Sequence, residues 1–371
     1  MEQCSPQLSP ASRESSTAPI RVAIVAPSLR QVVGGQEVQA SILLSRWASD
    51  HAVMATFVPT VPLFPAVLEW VNKVRFLRTV VRFPKYVFDL MNSIRHVDLV
   101  HVFSASFTSF LMATLPAWLA ARVLAKPILI NYHSGRGPQH LARSRLARFV
   151  LQHSAAVVVP SQYLVEAFAA HSISATEISN VTDNIEFSYR SRNPFRPWLI
   201  CTRNFAPYYG IDVVLRAFSR VQKEFADAQL CLVGTGTCES ELHRLAARLN
   251  VKRVEFVGCA PPQIMPSLYG RNDIFINGSC IDNAPCSIVE AFCCGLPVIS
   301  TDAGGIPHLV QHEVTGLLSP SGDWSALAEN VIRLLKNQGL AKAMAENGLK
   351  TAQRHSWTKV RADWLTLYRS L

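Results

Sequence analysis

DNAPCSIVEAFCCGLPVIST, residues 282–301, places Asp282 and Glu290 eight positions apart, with a proline-containing turn between them. An apolar helical stretch begins near Cys286, and Gly295-Leu-Pro-Val298 then turns the chain into an apolar strand over 297–300. A helix start offers backbone N–H groups without intrahelical acceptors and the positive end of a dipole, a ready site for a diphosphate. Asp282, on the loop before that helix, is placed to accept hydrogen bonds from sugar hydroxyls. Glu290, about a turn in, is placed to clasp a diol such as ribose. Gly304-Gly305 follows in a loop that opens another helix. Together these residues predict a strand-end pocket with anion donors and hydroxyl acceptors.

Outward from this stretch, strand and helix signals alternate almost throughout, the pattern of parallel-sheet α/β domains. Apolar runs predict strands at 21–26, 52–58, 98–103, 127–132 and 155–159, with helices at about 36–48, 106–123, 139–153 and 161–170 between them. Such continuous runs suit strands covered on both faces. After the polar stretch Ser188 to Pro197 the pattern restarts, with strands at 198–201, 229–233, 254–257, 273–277 and 297–300. A helical stripe runs from Asp212, another helix from about Asp323 to Lys336, and a Trp-rich one from Trp357 to Tyr368. The expected organisation is a loose tail over 1–20, an N-terminal Rossmann-like domain over 21–188, a second over 189–355, and a last helical segment over 356–371. Ligands of such sheets bind at the carboxyl ends of the strands.

Bulk properties agree. The chain of 371 residues exceeds one ordinary core, and 49% hydrophobic with 17% charged residues describes packed globular domains. The formal charge of +10 is uneven, with 19 Lys and Arg against 11 Asp and Glu in residues 1–196, and 17 against 15 in the remainder. A basic N-terminal half suits anionic lipid headgroups or acidic glycans, and equally a solubilising surface. The stretch Trp70 to Arg95 reads either as a basic amphipathic membrane surface or as a solvated helix. The nine cysteines lack zinc or disulfide spacing and point to a reducing compartment. Met1 to Pro19 lacks the apolar run of a signal peptide. Residues 51–68 and 99–121 carry no Asp, Glu, Lys or Arg, but the first holds three prolines and the second divides into strand and helix, so no membrane span is expected.

With its neighbours, the 282–301 stretch resembles the acid-x7-acid motif of family-4 glycosyltransferases, retaining enzymes of the GT-B fold. The resemblance extends over about 21–371 and is densest from Trp198 to Pro320. It is carried by LICTRNFAPYYGIDVVLRAF, LCLVGTGTCESEL, VEFVG, DAGGIP and HEVTGLLSP in that order, and in the first half by Gly34-Gly35, VDLVHVFSASF and INYHS. It implies two Rossmann-like domains with parallel sheets facing across a cleft, and a C-terminal helix crossing back to the N-terminal domain. It implies transfer of a hexosyl group from a nucleotide-diphosphate sugar to a glycan or lipid-linked acceptor, with retention, no cofactor and no bound metal. By matching positions, Glu290 would bind the donor ribose, Asp282 the transferred sugar, and Arg203 the leaving phosphate. Backbone groups of Ser287, Ile288 and Val289 would meet the diphosphate, Gly34 and Gly35 form the glycine loop at the cleft, and His133 stand near the reacting sugar. Gly234 and Gly258, at strand ends, complete the expected donor-binding set, while His101 is expected to pack beneath the cleft.

Three positions depart from the family pattern. Tyr209 stands where a second basic residue is usual, Asp282 where Glu is more common, and His308 where an acid follows GG-x-P. Loss of the Tyr209 cation leaves three expectations: compensation by Arg192, Arg196 or His308, weak turnover, or binding without transfer. A non-catalytic sugar-nucleotide or glycan-binding protein and a nucleotide-sugar epimerase or hydrolase are therefore kept beside the transferase. The expected setting is the cytoplasm, with peripheral contact at the membrane's cytoplasmic face. Nucleic acid is not an expected partner, because the basic residues form no known module.

Overall fold

The computed structural model describes residues 18–27, 34–62, 75–182 and 187–371. The first half forms β1 (Ile20–Ala26), α1 (Gly35–Ala48), β2 (Val53–Pro59), α2 (Arg75–Ile94), β3 (Leu99–Ser104), α3 (Leu115–Val123), β4 (Ile128–Tyr132), α4 (Gly137–Arg143), α5 (Arg145–Gln152), β5 (Ala156–Val159), α6 (Gln162–Ala169) and β6 (Thr176–Glu177). The second half forms β7 (Trp198–Thr202), α7 (Ile211–Glu224), β8 (Gln229–Val233), α8 (Glu239–Arg248), β9 (Val254–Gly258), α9 (Met265–Arg271), β10 (Ile274–Asn277), α10 (Cys286–Cys293), β11 (Val298–Thr301), α11 (Ile306–Leu309) and β12 (Gly316–Ser319). It closes with α12 (Trp324–Lys336), α13 (Gln338–Ala352) and α14 (Trp357–Ser370).

Two six-stranded parallel sheets result, ordered β2-β1-β3-β4-β5-β6 and β12-β11-β10-β7-β8-β9. The crossovers place α1 on one face of the first sheet and α2 to α6 on the other, and the core divides accordingly. Alternate residues of one strand feed different layers. Leu199 and Cys201 of β7 pack under α7 and α12, whereas Ile200 packs under α9 and α10. The last helix, α14, buries Val360, Trp364, Leu365 and Tyr368 beside α1 against the first sheet. Its Tyr368 hydroxyl meets His101 Nδ1 at 2.7 Å, and Asn131 Nδ2 meets the other ring nitrogen at 3.1 Å, so His101 is a satisfied residue beneath the cleft.

The structure differs from the sequence expectations in particular places. One helix over 139–153 is two, because Ser144 is extended and its hydroxyl accepts from Ala147 N to start α5. The short strands β6 and β12 give no readable alternation. The tail expected over 1–20 lies outside the described residues up to residue 17, and Ile20 already pairs with Val53. The uncharged stretch 99–121 forms β3, the π-turn Phe110–Thr114 and part of α3. Among the described residues no helix is long and apolar enough to cross a membrane.

Candidate functional site

In each sheet the strand order reverses once, between β1 and β3 and between β7 and β10. Loops leaving the carboxyl ends of strands diverge at such points and leave a crevice. The two crevices face one another. Between them lies a cavity of about 570 Å³, walled by α1 on one side and by the loops after β7, β8 and β9 and the start of α10 on the other. Of the expected site residues, Gly34, Gly35, Arg203, Gly234, Ser287 and Glu290 line it.

Arg203 is fixed from both ends. Its backbone N–H donates to Val233 O at 3.0 Å, its Nε reaches Asn277 Oδ1 at 3.4 Å, and its Nη2 donates to Asp282 Oδ2. Burial works against the guanidinium charge, yet Asp282 and the neighbouring hydroxyls and thiol hold its pKa above the ordinary value. The guanidinium carbon lies 5.1 Å from the centre of the Tyr209 ring. Tyr209, where the resemblance implied a second cation, is thus a cation–π partner of Arg203. Arg192 and Arg196 do not compensate: both bind Asp273 at the opposite end of β10. His308 is exposed on α11.

Backbone geometry at the Tyr209 turn depends on glycine. Gly210 has φ +58°, and a Cβ there would lie 1.9 Å from the carbonyl oxygen of Gly278. Tyr208 O also accepts from Cys280 N at 2.8 Å, which ties the turn to the loop carrying Asp282. Gly210→Ala is expected to lower unfolding free energy by at least about 2 kcal/mol, read by urea denaturation, because left-handed strain and the backbone clash add.

Glu290 Oε2 accepts from the Tyr269 hydroxyl at 2.7 Å, and that hydroxyl is 2.8 Å from Thr202 Oγ1. Burial raises the Glu290 pKa, with Tyr269 and Arg203 partly offsetting it. Ser287 Oγ and Thr182 Oγ1, both in the cavity wall, are buried without a hydrogen-bond partner. Buried polar atoms without partners are costly and fit a site whose ligand supplies the partner. Burial pushes the Cys286 thiol up to about 12, so it is neutral at physiological pH.

Other expectations need correction. The Ile288 N–H already donates to Pro285 O, so that donor is taken at the helix start, and of the three residues expected to present backbone groups only Ser287 lines the cavity. Gly258 is outside the lining, where Cys259 and Ala260 stand instead. Asp282 does not line the cavity; it reaches it through Arg203, and its Oδ1 accepts from Asn283 N at 3.0 Å. His133 also stands outside the lining, stacked on Phe103 with its Nε2 buried and unpartnered. Burial lowers its pKa to about 4, so the imidazole is neutral at physiological pH.

The two halves meet tightly around Asp282. A Cβ on Gly135 would lie 3.1 Å from the Asp282 carbonyl carbon. Ser161 donates to Asn283 Oδ1, and Asn180 Nδ2 donates to Ala284 O at 3.0 Å. Gln39 of α1 donates to Val181 O at 2.7 Å and reaches Cys286 Sγ at 3.3 Å. Sequence reading missed Gln39, Thr182, Thr202 and Tyr269. Gln39 had a signal, since it lies one helical turn beyond Gly35 on the α1 face that Val38 and Ile42 also present to the cavity. Tyr269 had none.

Residues 186–351 match the model of the glycosyl transferases, group 1. Among curated proteins, the N-acetyl-alpha-D-glucosaminyl L-malate synthase of Bacillus anthracis is 31% identical over 172 residues, 46% of this chain and 44% of that protein. A GDP-mannose-dependent monoacylated alpha-(1-6)-phosphatidylinositol monomannoside mannosyltransferase of Corynebacterium glutamicum is 35% identical over 159 residues, 41% of each chain. The chain spans less than half the length of these two relatives. Solved structures match far more of it. Anabaena Alr3699/HepE, in complex with UDP and glucose, superposes with a TM-score of 0.73 at 19% identity, covering 95% of this chain and 100% of that one. Sucrose-phosphate synthase of Thermosynechococcus elongatus gives 0.77 at 21%, covering 95% and 99%. At such identities the likeness is one of fold, the two-domain α/β arrangement of GT-B proteins.

Proposed function

We propose that the chain is a retaining, family-4-like glycosyltransferase that moves a hexosyl group from a nucleoside-diphosphate sugar to a glycan or lipid-linked acceptor without a bound metal. The observation that carries this reading is the wall of the 570 Å³ cavity, where Arg203, the start of α10 and Glu290 converge. The ribose diol meets Glu290, whose position Tyr269 fixes from behind. The diphosphate meets the N–H groups at Cys286 and Ser287 and the guanidinium of Arg203. As the sugar departs through an oxocarbenium-like state, negative charge grows on the leaving phosphate, and these fixed donors stabilise it where it forms. Support comes also from the family match over 186–351 and from UDP-bound neighbours of the same fold.

Nucleotide release measured across UDP-, GDP- and ADP-sugars tests the reading. One donor class is expected to release nucleotide in an acceptor-dependent way. No release with any donor, together with unchanged donor binding in Glu290→Ala, would overturn it. Tight binding without turnover would leave a sugar-nucleotide-binding protein instead.

Tyr209→Lys gives a further expected result. A second ammonium near the diphosphate strengthens its binding, so the affinity for UDP or GDP should rise about tenfold or more by calorimetry. The same change sets two cations about 5 Å apart in the empty site, so thermal stability should fall. An affinity that stays flat would place Tyr209 away from the phosphates.

A further inference from the structure

The helices covering the outer face of the first sheet carry a surface that the cavity does not use. Of the exposed large apolar side chains among the described residues, half lie between Phe83 and Phe149. Phe88 is 72% exposed and Val123 74% exposed, well beyond the partial exposure of an ordinary surface residue. They come from α2, the π-turn before α3, α3 and α5, and these helices share one face of the sheet, opposite α1 and α14.

The patch is continuous across α3 and α5. Leu119 and Val123 lie one turn apart on α3, and Leu146 and Phe149 lie three apart on α5. The helices touch through the edge-on rings of Trp118 and Phe149, whose centres are 6.0 Å apart, and the Arg122 guanidinium stands 5.4 Å from the Trp118 ring. The Tyr86 hydroxyl of α2 donates to Ala113 O at 2.8 Å, bracing α2 against the turn before α3.

Charge identifies what covers this surface. From Arg82 to Arg148 the chain holds nine Lys or Arg against two Asp, with no Glu. Both carboxylates are already engaged, Asp89 by Lys85 at 2.7 Å and Asp98 by Arg21 at 2.6 Å. A second copy of the chain would set this basic face against itself. Apolar tips set among arginines suit a surface that is anionic outside and apolar beneath. We propose that the α2–α3–α5 face docks on a bilayer containing anionic phospholipid, with Leu119, Val123, Leu146 and Phe149 entering the boundary between headgroups and acyl chains and the arginines meeting headgroup phosphates.

The placement moves the expected membrane contact. In the stretch Trp70 to Arg95, residues 70–74 lie outside the described residues, and Lys85 of α2 is paired with Asp89. Four of the eight exposed apolar tips belong to α3 and α5, outside that stretch, and only Phe83 and Phe88 lie on α2. The proposal does not depend on the sugar-transfer reading, because it concerns the opposite side of the sheet from α1.

Sedimentation of the full chain with vesicles tests it. Vesicles of phosphatidylglycerol with phosphatidylcholine should carry the chain down at about 0.15 M salt, and phosphatidylcholine alone should not. The variant Leu119→Ser/Val123→Ser/Phe149→Ser keeps the net charge and should lower the partition coefficient at least about tenfold. Arg244→Glu, on α8 of the other half, should change it little. Thermal melting reports whether each variant is folded. Absence of binding to anionic vesicles would overturn the proposal. So would binding that the triple variant leaves intact and salt alone abolishes, since that is adsorption of a basic chain. Binding to polyglutamate but not to vesicles would likewise overturn it, in favour of an acidic protein partner.

Discussion

Arg203→Met is expected to lower nucleotide release from the preferred donor by about 10²–10³-fold, the loss seen when one preorganised donor to a developing anion is removed. Methionine keeps most of the apolar stem and removes the charge. In the native site the guanidinium stands between Asn277, Asp282 and the Tyr209 ring, so nothing has to reorganise when phosphate charge develops. Removal has a second consequence. Asp282 is 9% exposed, and without Arg203 its carboxylate keeps the Asn283 N–H but no cation. Breaking a buried pair from one side costs about 3 kcal/mol or more, so Arg203→Met should also unfold earlier in urea. The double variant Arg203→Met/Asp282→Asn separates the two effects. It should recover much of the stability, because no charge is left buried, and none of the turnover. Turnover that returned with stability would show that Arg203 acts through the fold alone, and the assignment of the leaving-phosphate site would fail.

The contrast between Arg203 and its surroundings shows what the sequence made legible. The 282–301 stretch could be read because its requirements are local. A helix start, two acids and the Gly295 turn, with φ +73°, all lie within one run of the chain. The same holds for β1, β3 and β7, whose apolar runs follow from burial on both faces. The pairing of Arg203 with Asp282 joins residues 79 apart and depends on β7 and β10 being neighbours. Sequence showed two charged residues of suitable type but not that one would already hold the other. The α1 wall was harder still, since Gln39 acquires its role through contacts with Val181 and Cys286 in other parts of the chain. The Ile288 N–H was misread for the opposite reason. A motif numbers positions along a helix, and only the folded turn shows that the Ile288 N–H is already taken by Pro285 O. The strands β6 and β12 were missed because Thr176-Glu177 and Gly316-Leu-Leu-Ser319 form no continuous apolar run of the kind that marked the other strands.

Glu290→Gln should separate donor binding from stability more cleanly than any truncation. The amide oxygen of glutamine can still accept from the Tyr269 hydroxyl, which lies 2.7 Å from Oε2 in the native chain, so the packing around Thr202 and Tyr269 survives. What disappears is the charge that makes both hydrogen bonds to a vicinal diol strong. Losing charge-assisted bonds of this kind costs about 3 kcal/mol, so UDP or GDP should bind about 10²-fold more weakly by calorimetry. A dideoxy nucleoside diphosphate lacks the diol. It should bind the native chain weakly and bind the variant no worse. The pH dependence runs the other way from that of an ordinary salt-bridged acid. Burial raises the folded pKa of Glu290, so the folded state holds its proton more tightly than the unfolded chain. Folding stability therefore falls as pH climbs from the unfolded value through the folded one, and stays reduced above it. The variant has no such group, so at pH 7 to 8 it should be at least as stable as the native chain, with a flatter stability profile across the acidic range. Unchanged affinity for the ribonucleotide in a folded variant would remove Glu290 from the ribose. A variant that lost stability and affinity together would mean that the carboxylate is held for the fold rather than for the donor.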